Sequence, residues 1–115
     1  MKIAVVGSRG IFGVDFDGKI PSNCSEVVSG GARGVDSEAA EWARKNEISL
    51  TVFLPDYERY GRAAPIKRNE QIAVYADELV AFWDGISKGT ENTIKFFEKL
   101  GKKVTIFTVD DKSKV

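Results

Sequence analysis

Histidine is absent from this 115-residue sequence, and cysteine occurs once, as Cys24. Without histidine the chain cannot form a Ser-His-Asp or Cys-His catalytic pair, a histidine-ligated zinc site or an imidazole acid-base group. A single cysteine excludes an internal disulfide and a cysteine-rich zinc site, and it fits a reducing environment. We therefore expect no metal site, and any catalysis would depend on carboxylate, arginine, lysine, tyrosine or hydroxyl groups.

The sequence also lacks an excess of either charge, because its 17 basic residues balance its 17 acidic residues. Proteins that bind duplex DNA or anionic membranes usually carry a basic excess, so the balance disfavours both partners. No apolar run approaches the roughly 20 residues that span a bilayer, and the first residues do not resemble a signal peptide. These absences predict a cytoplasmic protein without a membrane partner.

Short apolar runs alternate with amphipathic segments along the chain, and this alternation predicts five strands and three main helices. The strands are predicted over residues 3–6, 26–29, 49–54, 78–83 and 103–109. The helices are predicted over residues 36–46, from Pro65 onward, and over 90–100, with loops over 11–23 and 56–64. Such alternation favours an α/β protein with a parallel sheet covered on both faces. We expect one domain over residues 1–109 and a frayed tail over 110–115.

Helical spacing predicts which residues of these helices face the sheet. The buried positions are expected to be Val35, Ala39, Ala40 and Ala43 in the first helix, Ile66, Ile72, Ala73 and Ala76 in the second, and Ile94, Phe97 and Leu100 in the third. Asp36 is predicted to cap the first of these helices.

The most informative motif is the glycine-rich turn Ser-Gly-Gly-Ala-Arg-Gly-Val-Asp at residues 29–36, between a strand and a helix. Glycines let backbone N–H groups approach an anion, and the free N–H groups and dipole of a helix N-terminus favour phosphate. The guanidinium of Arg33 would suit phosphate oxygens. The alternative is a tight turn in which Arg33 is only solvated. The candidate ligand-binding residues of this turn are Ser29, Gly30, Gly31, Ala32, Arg33, Gly34 and Asp36.

Other polar groups are expected at the same carboxyl edge of the sheet, where α/β proteins bind ligands. Ser8 could donate to a phosphate or a ribose, or could cap a turn; Asn69 could bond a loop carbonyl or the ligand. The threonines could cap the last helix or bond a phosphate. The further candidate ligand-binding residues are Gly7, Ser8, Arg9, Arg68, Asn69, Trp83, Asp84, Gly89, Thr90 and Thr93.

The aromatic residues and the cations of these loops could each bind the ligand or have only a structural or surface role. The aromatic residues Trp83, Tyr57 and Tyr60 would either stack on a base or serve only in packing. The cations could share one rim of the site or be solvated surface charges; they are Arg9, Arg33, Arg59, Arg62, Lys67, Arg68 and Lys88.

Five motifs in this order resemble the SLOG superfamily of Rossmann-like nucleotide-binding domains, especially its small YspA-type members. They lie at residues 6–9, 29–36, 67–69, 82–85 and 88–93. The resemblance spans residues 3 to about 107, and it implies a Rossmann-like three-layer α/β/α sandwich with a five-stranded parallel sheet in the order 3-2-1-4-5. It also implies binding of a nucleotide or nucleotide-derived ligand. Some members are proposed to be sensors in bacterial or phage conflict systems.

Two relatives of that superfamily imply alternative functions. Lonely-guy-type phosphoribohydrolases cleave the N-glycosidic bond of nucleoside monophosphates with an arginine and a glutamate. Arg68 resembles their arginine, but Thr93 stands where their glutamate would be, so an enzyme here would need Glu91, Asp84 or Asp36 as its carboxylate. The DNA-processing protein A family has a turn similar to residues 29–36 and binds single-stranded DNA.

The sequence therefore predicts a non-catalytic domain that binds or senses a small phosphate-bearing nucleotide-type ligand. Its phosphate would lie on the backbone of residues 30–34 and at the start of the last helix, with Arg9, Arg33 and Arg68 neutralising its charge. No further cofactor is required, and nucleic acid is not the expected partner. Pairing of two copies as a homodimer would cover an exposed helix face. N-glycosidic hydrolysis and single-stranded DNA binding are the alternatives.

Overall fold

The structure is a computed structural model, and it describes residues 1–109. The strands are β1 (Lys2–Gly7), β2 (Glu26–Ser29), β3 (Ser49–Val52), β4 (Glu78–Trp83) and β5 (Lys103–Thr108). The helices are α1 (Val35–Lys45), α2 (Tyr57–Tyr60), α3 (Ala64–Tyr75) and α4 (Lys88–Lys99), with a 3₁₀ turn at Gly61–Ala63. The frayed tail predicted for residues 110–115 lies outside the described residues.

All five strands are parallel and lie in the order β3-β2-β1-β4-β5, which confirms the predicted α/β Rossmann-like sheet. The central strand β1 pairs with β2 on one side and with β4 on the other. The chain first adds strands outward from β1 to β3, and then crosses back to place β4 on the opposite side of β1. The strand order thus reverses beside β1, and the carboxyl ends of β1 and β4 border the crevice in which this fold binds ligands.

Alternation along β1 creates the two apolar layers of the sandwich. Ile3 and Val5 belong to a core cluster with residues of α1, whereas Ala4 and Val6 belong to a second cluster with residues of α3 and α4. All four side chains are buried, as expected for the central strand of a parallel sheet that has helices on both faces.

Two residues predicted to be buried are instead about half exposed, Ile66 at 51% and Leu100 at 49%. Ala64, rather than Ile66, begins the buried face of α3, which continues through Asn69, Ile72 and Ala73. Leu100 is the C-cap of α4, where the chain leaves the helix, so Phe97 is the last residue of its buried face.

The segment over residues 56–64, predicted to be a loop, contains helix α2 and the 3₁₀ turn. Asp56 caps α2 by accepting the backbone N–H of Arg59 at 3.2 Å. Neither short element buries a residue, so no apolar periodicity marks them in the sequence.

Strand β3 ends at Val52 rather than at Leu54 because its pairing with β2 ends there. Val52 is in register with Ser29, the last residue of β2. A strand at the edge of a sheet has no second neighbour to continue its ladder.

No helix within residues 1–109 has the length and apolarity that a membrane span requires.

Candidate functional site

A cavity of about 650 Å³ lies beside the reversal of strand order, at the carboxyl edge of the sheet. Its walls come from the end of β1 and the following loop, the loop after β2, helix α3, and the segment that joins β4 to α4. The cavity contains most of the predicted site residues: Gly7, Ser8, Arg9, Gly30, Ala32, Arg33, Asp36, Arg68, Asn69, Asp84, Gly89, Thr90 and Thr93. Four predicted residues, Ser29, Gly31, Gly34 and Trp83, are not among its lining residues.

Two of these four hold the glycine-rich turn in place. The hydroxyl of Ser29 accepts the N–H of Gly31 at 3.2 Å and donates to the backbone oxygen of Asp36 at 3.4 Å. Gly34 is the N-cap of α1 with φ 74°, and a Cβ there would lie 2.8 Å from the backbone oxygens of Arg9 and Ile11. Glycine is therefore required at position 34 by the contact between the first two loops.

The other two, Gly31 and Trp83, contact Leu54 and the core with the segment before α4, respectively. A Cβ on Gly31 would meet the side chain of Leu54 at 2.6 Å. The indole N–H of Trp83 donates to the backbone oxygen of Ser87 at 3.0 Å, and its ring packs against the core cluster on the α3 and α4 side. Trp83 thus shapes the segment before α4.

Six lining residues were not among the sequence-based candidates: Val6, Gly10, Phe12, Pro65, Ile72 and Ser87. Phe12 matters most, because its side chain is 49% exposed and is the aromatic ring in the lining. The aromatic residues considered from the sequence for base stacking, Trp83, Tyr57 and Tyr60, do not line the cavity. The same loop also contains Phe16, so the sequence offered no signal that singled out Phe12.

Asp36 is a buried carboxylate in the first turn of α1, and the prediction that it caps this helix is wrong. Gly34 is the N-cap, because helical conformation already begins at Val35, and the cap makes no side-chain hydrogen bond. Oδ2 of Asp36 accepts the N–H of Ala32 at 3.3 Å. Among residues 1–109, Oδ1 of Asp36 has no hydrogen-bond partner, although the residue is only 4% exposed.

Burial raises the pKa of Asp36 from 3.8 to about 6, because the charged form loses its hydration. The backbone N–H groups of Ala32, Gly30 and Gly7 and the positive charge of Arg68 act in the opposite direction. Desolvation prevails over these stabilising groups.

This pKa predicts that the folded state loses stability as the pH rises from about 4 to about 7. A carboxyl with a pKa of 3.8 when unfolded and about 6 when folded binds its proton more tightly in the folded state. Its contribution is therefore fully present, at about 3 kcal/mol, only well below pH 4, and it is lost as the pH rises through 6. The sequence contains no histidine that would titrate in the same interval.

Urea unfolding of the wild type and of Asp36→Asn at several pH values measures this contribution. The wild type should lose about 2 kcal/mol more than the variant between pH 4 and pH 7. Parallel pH profiles for the two proteins would show that Asp36 does not carry the shifted pKa.

Arg68 joins α3 to the glycine-rich turn. Its Nη1 donates to the backbone oxygen of Gly30, and its Nε donates to Oδ1 of Asn69 at 2.9 Å. Burial lowers the pKa of Arg68, Asp36 raises it, and the like charge of Arg9 lowers it further. The guanidinium thus lies near one carboxylate and one other cation.

Asn69 extends this connection to α4, as in the structural alternative considered from the sequence. Its Nδ2 donates to Oδ1 of Asn92 at 3.0 Å and to the backbone oxygen of Gly89 at 3.5 Å. The hydroxyl of Thr93 donates to the same Gly89 oxygen at 3.1 Å, inside the helix. The N-cap of α4 is Ser87, so neither Thr90 nor Thr93 is its cap, and both are buried in the cavity wall.

Arg9 and Arg33 differ from Arg68, because both are exposed and neither guanidinium has a hydrogen-bond or salt-bridge partner among residues 1–109. The carboxylates in the lining are Asp36 and Asp84. Oδ1 of Asp84 accepts the backbone N–H groups of Ile86 at 2.9 Å and Ser87 at 2.7 Å, and so forms the turn before α4. The lining therefore carries three guanidinium groups and two carboxylates, an excess of positive charge that favours an anion.

The backbone of the glycine-rich turn is less available to an anion than its sequence suggests. The N–H of Gly31 is bound to Ser29 and that of Ala32 is bound to Asp36. The arginines and the first turn of α4, through Gly89 and Thr90, are consequently the stronger anion-binding groups in the lining. Within residues 1–109, no group of three or more cysteines or acidic residues could hold a metal ion.

Comparison with known proteins identifies relatives of the chain. The family model described as "YspA, cpYpsA-related SLOG family" matches residues 19–60, which include the whole glycine-rich turn. The Gene 61 protein of Mycobacterium phage D29 is 38% identical over 87 residues, a match that covers 70% of this chain and 70% of that protein. No solved structure matches the chain significantly. From the family match, the phage relative and the confirmed sheet order together, the chain belongs to the YspA, cpYpsA-related SLOG family.

Proposed function

We propose that the cavity binds a phosphate-bearing nucleotide or nucleotide-derived ligand and that the protein acts as a binding or sensor domain. The observation that carries this proposal is the pair of arginines, Arg9 and Arg33, that line the cavity without an internal partner. A third guanidinium, that of Arg68, lies in the same wall. Because a phosphate offers several oxygens to planar guanidinium groups, this arrangement suits it well.

The size and composition of the cavity agree with a nucleotide-sized ligand. Its volume of about 650 Å³ lies within the range of roughly 300–1,000 Å³ typical of small-molecule sites. The half-exposed ring of Phe12 offers an apolar face on which a base could stack. We propose that the phosphate lies against the arginines and the start of α4, and that the base lies toward Phe12.

The positions of the carboxylates support binding rather than N-glycosidic hydrolysis. Glu91, a candidate for the missing catalytic carboxylate, does not line the cavity and lies 3.4 Å from the ammonium of Lys95. Thr93 stands where the hydrolase relatives have glutamate, and its hydroxyl donates a hydrogen bond to the backbone oxygen of Gly89. Asp84 accepts two backbone N–H groups that form a turn.

Calorimetric titration with matched nucleoside monophosphates and nucleosides tests the proposal. We expect at least one monophosphate to bind, and its nucleoside to bind at least about tenfold more weakly, because one charge-assisted hydrogen bond contributes about 1.5–3 kcal/mol. Binding should also weaken as salt is added. Equal affinity for nucleoside and monophosphate, or no binding by any member of the set, would contradict it.

The same incubations separate binding from catalysis. Chromatography of each mixture should recover the intact monophosphate, without free base. Release of base that is abolished in Arg68→Ala and in Glu91→Ala would instead establish the hydrolase alternative.

A further inference from the structure

We infer that Oδ1 of Asp36 accepts a hydrogen bond from a ribose hydroxyl of the ligand, so that the cavity selects ribose phosphates over their deoxy analogues. This inference rests on the proposed function and adds a second recognition element to it. It begins from the unpartnered oxygen of a residue that is only 4% exposed and that lines the cavity. A buried acceptor without a partner is costly, so a ligand donor that reaches it gains binding free energy.

The groups around Asp36 leave this oxygen to the ligand. Its other oxygen is bound to the N–H of Ala32. The hydroxyl of Ser29 donates to the backbone oxygen of Asp36 rather than to its carboxylate. Arg68 donates to Gly30 and Asn69. The backbone N–H groups of Gly30 and Gly7 also face the carboxylate, but among residues 1–109 neither forms a hydrogen bond with Oδ1.

The position of Gly30 shows how close the carboxylate is to a phosphate-binding cation. A Cβ on Gly30 would lie 2.9 Å from Oδ2 of Asp36 and 2.8 Å from Nη1 of Arg68. If a phosphate of the ligand contacts Arg68, the part of the ligand bonded to that phosphate would therefore lie beside Asp36. In a nucleotide those atoms belong to the sugar, whereas the polar edge of the base lies at the far end of the molecule.

The charges around this oxygen favour a neutral donor. Arg68 faces Asp36 from α3, and the positive charge of Arg9, in the loop after β1, lies near Arg68. The other charged groups of the lining are Arg33 and Asp84. An ammonium donor would be repelled by three guanidinium groups, whereas a hydroxyl would not. A hydroxyl next to a phosphate is the chemistry of a ribose phosphate.

The experiment measures discrimination rather than affinity alone. The nucleoside monophosphate that binds best is compared with its 2′-deoxy and 3′-deoxy analogues on the wild type, on Asp36→Asn and on Glu98→Gln. Glu98 lies on an exposed part of α4 outside the cavity, so Glu98→Gln controls for the loss of one negative charge.

We expect one of the two deoxy analogues to bind the wild type and Glu98→Gln about 10- to 100-fold more weakly than the ribonucleotide. In Asp36→Asn this ratio should fall to within about threefold, and Asp36→Ala provides the same readout if the asparagine variant does not fold. Wild-type binding without discrimination, or discrimination that persists in Asp36→Asn or Asp36→Ala, would overturn this inference while leaving phosphate binding intact. Absence of phosphate-dependent binding in the wild type would overturn both proposals.

Discussion

Replacing Arg9 and Arg33 together with alanine is expected to weaken binding of a nucleoside monophosphate about 100-fold or more, without a change in the midpoint of thermal unfolding. Each guanidinium would lose a charge-assisted hydrogen bond to phosphate, which contributes about 1.5–3 kcal/mol. Stability should be unaffected, because neither side chain has a hydrogen-bond or salt-bridge partner among residues 1–109. Calorimetric titration and a thermal melt of the same preparation measure the two effects.

A matched control for this variant is available outside the cavity lining. Arg59 and Arg62 are exposed, were also assigned to the cationic rim from the sequence, and do not line the cavity. Replacing both with alanine removes the same two charges but should change the affinity less than about threefold. If the two double variants lose equal affinity, a general electrostatic attraction rather than a defined phosphate contact explains the binding.

Replacing Gly7 with alanine is expected to destabilise the protein by about 3 kcal/mol or more. The added Cβ would lie 2.5 Å from Cγ2 of Val35 and 2.6 Å from the backbone oxygen of Phe82. The clash involves backbone of the paired strand β4, so it cannot be relieved by a side-chain rotation alone. Overpacking usually costs about 1–3 kcal/mol, and the total stability of a small domain is about 5–15 kcal/mol.

Urea unfolding measures this loss, and Gly89→Ala is its control. A Cβ at position 89 would have no neighbouring atom within 4 Å, and alanine favours the helical conformation found there. Gly89→Ala should therefore be as stable as the wild type or more so. A Gly7→Ala protein that unfolds at the wild-type urea concentration would show that β1 and α1 can separate without cost.

The candidate site was partly predictable, because the topology itself brings its residues together. Parallel strands place the loops after β1, β2 and β4 at one edge, so Arg9, Arg33 and Asp84 meet there even though they are distant in sequence. The roles within the glycine-rich turn were less predictable. Gly34 allows close contact with the loop after β1. Ser29 and Asp36 accept hydrogen bonds from the N–H groups of Gly31 and Ala32, respectively.

Phe12 and Ile66 show why periodicity alone was insufficient. Phe12 lies in a loop without regular structure, and only the folded path of that loop brings its ring to the cavity. Ile66 is one residue from the inward face that Pro65 and Asn69 share, and one residue corresponds to about 100° around a helix. The spacing of apolar residues does not distinguish two helix faces that differ by one residue when the first residue of the helix is not known.

The sequence by itself determined the parallel sheet, the edge at which the candidate site residues gather, and the absence of histidine chemistry. The sheet follows from the alternation of apolar runs and amphipathic segments, its strand order from the family resemblance of the motifs, and the absence of histidine from composition. Only the tertiary structure decided that Oδ1 of Asp36 is buried without a partner beside Arg68, and that Arg9 and Arg33 are free to meet an anion. Hydrogen-bond partners and desolvation depend on groups from β1, β2 and α3 that become neighbours only when the chain folds.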